Sequence, residues 1–128
     1  MAKPQFQFNP TYISGVLPIF MRVNFGSAAA SLSTGAGENV GITSLTRDSA
    51  GQYTIVLDGP VAKVLGISMV IQNAAGIPTV PFVGIKSFTA STNTLVLVTS
   101  DADTHAASDP VDGDVGFFTL FVKNTAGV

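Results

Sequence analysis

The stretch Leu17-Pro18-Ile19-Phe20-Met21-Arg22-Val23-Asn24-Phe25 decides the fold. Its odd positions are all apolar, whereas Arg22 and Asn24 fall on the alternate side. Successive side chains of an extended chain point to opposite faces, so a period of two predicts a strand with one buried face. Residues 52–58 repeat the pattern with Tyr53, Ile55 and Leu57 inward. Residues 40–47 precede them across Asp48-Ser49-Ala50-Gly51, a short connection ending in glycine, which predicts a β-hairpin.

Further strands are expected around Ile67, Met69 and Ile71, and over residues 80–88, 95–99 and 115–123. The last has Phe117 and Phe121 on one side and Phe118, Leu120 and Val122 on the other. A strand apolar on both faces belongs at the centre of a sheet or beneath a partner. Helical spacing occurs once, in residues 58–66, where a capping Asp58, Pro60 and a terminating Gly66 predict one turn or two. The expected fold is therefore an all-β antiparallel sandwich, jelly-roll or immunoglobulin-like, with at most one short helix. Residues 17–128 form its single domain, and residues 1–16 form an extended N-terminal arm, since Pro4 and Pro10 bar that segment from a central strand.

Composition narrows the function classes. The chain has 128 residues and no cysteine, which excludes disulfides, thiolate metal sites and thiol catalysis. Charged residues make up 11% and hydrophobic ones 46%, so the surface is sparsely ionic and part of it is expected to lie against other copies or another protein. Lys3, Arg22, Arg47, Lys63, Lys86 and Lys123 are scattered singly along a chain of net charge −2, an arrangement that argues against nucleic-acid binding. No apolar run reaches the roughly 20 residues that span a bilayer, and residues 13–21 are too short and broken for a signal peptide.

Candidate chemistry is thin. His105 is the single histidine, in a loop of residues 100–114 that holds Asp101, Asp103, Asp109, Asp112 and Asp114, five of the eight acidic residues. No nucleophile elbow or oxyanion motif accompanies it, so a solvated loop histidine is expected rather than a hydrolase triad. The clustered carboxylates suit a hard cation in type, but the EF-hand register with its terminal Glu is missing; a solvated turn is expected, with a basic patch on a partner as the alternative. The glycine-rich residues 26–39 lack the Walker lysine and a following helix and read as a loop. Trp is absent and Tyr53 alternates with core residues, so no stacking platform for sugars is evident. No cofactor, metal or catalytic residue is expected. The candidate partner-binding residues are Phe6 and Phe8, which project to one side of the arm, with Tyr12 and Ile13 behind them; such a segment can pair along a neighbour's sheet edge.

Two blocks, GITSLTRDSAGQYTIVLDGPVAKVLGISMVIQN (residues 41–73) and SDPVDGDVGFFTLFVKNTAGV (residues 108–128), resemble a recurring pattern in small head-decoration, or cement, proteins of tailed bacteriophages. They cover about two-fifths of the chain, and neither is a catalytic signature. The resemblance implies a non-enzymatic virion protein on the outer capsid surface. It would stabilise the joints between subunits of the major capsid protein and act as a small homo-oligomer, a dimer in preference to a trimer. The alternative from another class is a receptor- or glycan-binding sandwich of a tail fibre, spike or cell surface.

Overall fold

A computed structural model describes residues 16–26, 30–32, 39–59 and 61–123. The strands are β1 (Val16–Phe25), β2 (Ala30–Leu32), β3 (Ile42–Ser49), β4 (Gln52–Leu57), β5 (Lys63–Gln72), β6 (Phe82–Thr89), β7 (Thr94–Ser100) and β8 (Val115–Lys123). They form two four-stranded antiparallel sheets that pack face to face, with orders β2-β1-β8-β5 and β3-β4-β7-β6. An all-β sandwich is thus the architecture, as the alternation predicts. Residues 1–15, including Phe6, Phe8, Tyr12 and Ile13, lie outside the described residues.

The period-two positions make the core. Met21, Val23 and Phe25 of β1 and Phe118, Leu120 and Val122 of β8 face Ile55 and Leu57 of β4 and Leu95 and Leu97 of β7, all buried. Each fully buried Leu, Ile or Val contributes roughly 2 kcal/mol relative to exposure, so this double layer is the main source of stability. Strand β8 pairs on both sides, with β1 and with β5, and takes the central place that its two apolar faces demand. Where its backbone and the Phe rings crowd together, Gly116 is required, because a Cβ there would meet Phe25 and Phe118 ring carbons at 2.8 Å.

Three expectations are corrected. The described residues of 58–66 hold no helix: β5 begins at Lys63, and the helical turn among the described residues is a 3-10 turn at Ala90–Thr92. The register of β5 shifts between Val64 and Gly66, leaving Leu65 as an extra residue. That bulge offsets the alternation by one position, so Val61, Val64 and Leu65 mimic helical spacing in a chain that is extended. The glycine-rich loop contains β2, which pairs with β1 through Val23 and Leu32. Finally, the loop of residues 100–114 is not simply solvated, since Asp114 is 3% exposed and Asp109 is largely enclosed.

Every register shift falls on β3, β5 or β6, all of them edge strands, whereas the β1–β8 and β4–β7 pairings are regular. Bulged edges present a broken row of backbone groups and resist strand addition.

Candidate partner-binding face

Between the sheets, Met21, Tyr53 and Phe118 line a void of ≈ 10 Å³, about the room one water takes up. The two outer faces of the sandwich differ in character.

On the β3-β4-β7-β6 sheet, cross-strand rows such as Thr46, Thr54, Val96 and Ser87 present hydroxyls and small apolar groups. Lys86 Nζ donates to Gln52 Oε1 (2.9 Å) beside them. The opposite sheet is aromatic. Alternation puts Pro18, Phe20 and Arg22 of β1 outward, with Phe117, Thr119 and Phe121 of β8 and Gly66, Ser68 and Val70 of β5. Register sets them in rows: Pro18, Phe121, Gly66; then Phe20, Thr119, Ser68; then Arg22, Phe117, Val70. Phe20 is 65% exposed, Val70 67%, Phe117 42% and Phe121 40%. Outward positions of a water-facing antiparallel strand are ordinarily polar, so four large apolar side chains here form a patch that soluble monomers seldom expose.

One side of this face is shaped into a groove. The backbone N–H of Arg22 donates to Asn39 Oδ1 (2.7 Å), and Asn39 adopts a left-handed φ of 57°. That turn carries Val40 beside the edge of β1, where Val40, Phe20, Pro18 and Phe117 border an open groove of ≈ 400 Å³. The Arg22 guanidinium sits 5.7 Å from the Phe117 ring centre, a cation–π arrangement that fixes both side chains.

The acidic loop serves the fold. Asp109 Oδ2 accepts from Arg47 Nε (3.0 Å) and Nη2 (2.8 Å), and its Oδ1 accepts from the Gly51 N–H (2.8 Å) and the Tyr53 hydroxyl (2.6 Å). Burial pushes the Asp109 carboxyl up, but the donors from Arg47, Tyr53 and Gly51 outweigh it and hold the group below the usual carboxylate range. Burial, then the bond to Asp109, raises the Tyr53 phenol well above its ordinary value. Asp114 accepts from Asn73 Nδ2 (2.7 Å) and the Val111 N–H (3.1 Å), closing the turn that leads into β8. Asp101 accepts from the N–H groups of Asp103 (2.7 Å) and Thr104 (3.0 Å), and the Thr104 and Asp103 bonds lower its pKa. His105 is exposed, as the sequence predicts, and its ring stacks on Phe82 at 6.2 Å and 15°. Among the described residues, no three His, Asp or Glu side chains converge as ligands for a metal ion.

The sequence singles out Phe117 and Phe121 on one side of β8 and places partner binding on Phe6, Phe8, Tyr12 and Ile13, which lie outside the described residues; it does not bring Phe20 and Val70 beside Phe117 and Phe121, which strand pairing does. The signal lay in Phe20, an aromatic side chain on the same side of β1 as Arg22 and Asn24. Comparison of the chain with protein-family models, with curated proteins and with solved structures finds no match.

Proposed function

We propose that this is a non-enzymatic structural protein that docks through the aromatic face of the β2-β1-β8-β5 sheet onto an assembled protein surface. In the reading that the phage resemblance implies, that surface is the outside of a capsid, and the protein cements joints between coat subunits. The observation that carries the proposal is the exposed patch of Phe20, Val70, Phe117 and Phe121 on one side of the sandwich. Low charge and bulged edges support it, because they favour contact by a face over contact by an added strand. Each copy needs to bind only modestly, since a capsid lattice repeats the contact many times.

The test uses heads of a tailed phage that encodes the chain, assembled with its gene deleted. Purified wild-type protein is expected to cosediment with them, and a Phe20→Ser, Phe117→Ser double variant to remain in the supernatant. Wild-type protein that leaves the heads bare overturns the reading, and density confined to the tail in images of whole particles would favour the receptor-binding alternative. A truncation lacking residues 1–15, run in parallel, separates the contribution of the arm from that of the face.

A further inference from the structure

Independently of the docking reading, we propose that the Asp58–Gly59 bond is a modification site, at which the folded chain converts aspartate to isoaspartate. Aspartate followed by glycine is open to this rearrangement because glycine has no Cβ to crowd its nitrogen. The chain holds two such pairs, Asp58–Gly59 and Asp112–Gly113, and no Asn–Gly pair. In the reaction the Gly59 nitrogen bonds to Cγ of Asp58. One carboxyl oxygen leaves as water, carrying the acid proton and the amide proton, and a five-membered imide remains. Water then adds back. Opening the nitrogen–Cγ bond restores aspartate, whereas opening the bond to the main-chain carbon leaves Gly59 joined through Cγ, with a carboxylate on Cα. Nothing is oxidised or reduced, and water is the sole co-reactant.

The two pairs differ in one respect. Asp58, Gly59, Asp112 and Gly113 are all exposed. Gly59 has φ +65° and Gly113 φ +93°, and at neither would a Cβ meet an atom within 4 Å. Solvent access, backbone class and crowding are therefore alike, and hydrogen bonding separates them. The Gly113 N–H donates to the Phe25 carbonyl (2.9 Å). Two further bonds close the turn around it, from the Asp114 N–H to the Val111 carbonyl (2.9 Å) and from the Val111 N–H to Asp114 Oδ2 (3.1 Å), and Asp114 is buried. To attack Asp112, the Gly113 nitrogen must give up Phe25 and turn against these bonds. The Gly59 N–H makes no hydrogen bond among the described residues. Before it, the Asp58 N–H donates to the Gly41 carbonyl (2.8 Å); after it, the Val61 N–H donates to Asn93 Oδ1 (3.1 Å). The Gly59 peptide can thus turn while β4 and β5 stay paired. The Thr43 hydroxyl also donates to Asp58 Oδ1, which holds a donor against an oxygen on which charge builds as the nitrogen attacks.

The test uses the full chain, warmed for several weeks in weakly acidic buffer below its melting temperature, with a sample unfolded in guanidinium chloride kept alongside. Protein isoaspartyl methyltransferase and labelled S-adenosylmethionine count the new linkages, and electron-transfer fragmentation of the peptides places them. In the folded chain isoaspartate is expected to form at Asp58 about tenfold faster than at Asp112, the factor that one hydrogen bond standing in the way of attack supplies. In the unfolded chain the two rates should converge. Asp58→Glu should abolish the signal at this position, because the longer side chain no longer closes a five-membered ring. Equal rates in the folded chain, a faster rate at Asp112, or a folded chain that stays unmodified at Asp58 would each overturn the proposal. So would a difference that persists undiminished in guanidinium chloride, because local sequence and not the unbonded Gly59 N–H would then set the preference.

Discussion

The Tyr53 hydroxyl donates to Asp109 Oδ1 at 2.6 Å, joining residues 56 positions apart and fastening the loop before β8 to the β3–β4 hairpin. Tyr53 is 4% exposed and its ring meets Phe25 edge-on at 5.7 Å, so one side chain serves the core with its ring and the loop with its hydroxyl. Arg47 and the Gly51 N–H complete the set of donors to the same carboxylate.

Asp109→Asn follows from that geometry. An amide keeps one acceptor oxygen and puts a donor in the other position, so that donor faces either the Arg47 guanidinium or both the Gly51 N–H and the Tyr53 hydroxyl, and the charge beside Arg47 is removed. The expected loss is on the order of 1–2 kcal/mol, read as a lower denaturant midpoint with an unchanged m value. A variant as stable as wild type would show that the network contributes nothing net.

The same groups set the pH limits of stability. Asp109 and Asp101 titrate lower folded than unfolded, so their contribution is complete above the unfolded carboxylate value of about 4 and is lost as pH falls below it. Tyr53 titrates higher folded, so its contribution is complete below about pH 10 and is lost as pH rises beyond that, where the unfolded phenol ionises first. The melting temperature is expected to form a plateau between these limits. Tyr53→Phe removes the alkaline decline attributable to this group, and persistence of the full decline would contradict the assignment.

Gly51→Ala tests the turn. Gly51 has φ +70°, and a Cβ there would come within 2.4 Å of the Ser108 nitrogen and 2.7 Å of the Thr99 carbonyl oxygen. Both are backbone atoms that cannot swing aside. The cost is expected to exceed the roughly 1 kcal/mol of a left-handed alanine and to reach about 3 kcal/mol, or to prevent folding. Gly59 has a similar φ of +65° with open space around it, so Gly59→Ala should show the conformational cost alone. Equal losses at the two positions would mean that the close approach to residues 99 and 108 is not the cause.

How far the sequence reveals this molecule depends on the range of the interaction. Alternation is local, so Leu17 to Phe25 and Val115 to Lys123 show their inward faces, and β8 shows its central place because both its faces are apolar. The bulge at Leu65 is set by pairing with β8, a partner about fifty positions away, and nothing within residues 58–66 distinguishes it from a short helix. Asp109 is similar: no local pattern separates a carboxylate that meets Arg47 and Tyr53 from one that meets water. The aromatic face was half legible, through Phe117 and Phe121, but it takes strand order to put Phe20 and Val70 beside them.

Phe117 and Phe118 are neighbours in sequence on opposite faces of β8, and together they separate folding from docking. Phe118 is 4% exposed and packs within the core, so Phe118→Ala should cost about 3–5 kcal/mol by lost burial and the cavity left behind. Phe117 is 42% exposed and meets Arg22 across the outer face, so Phe117→Ala should change stability by roughly 1 kcal/mol or less. Binding should follow the opposite order. At a temperature where both variants are folded, Phe117→Ala loses affinity for heads, whereas Phe118→Ala retains it. Denaturation midpoints and cosedimentation on the same two preparations measure both quantities. If the more stable variant also binds as wild type does, the outer face of this sheet is not where the protein meets its partner.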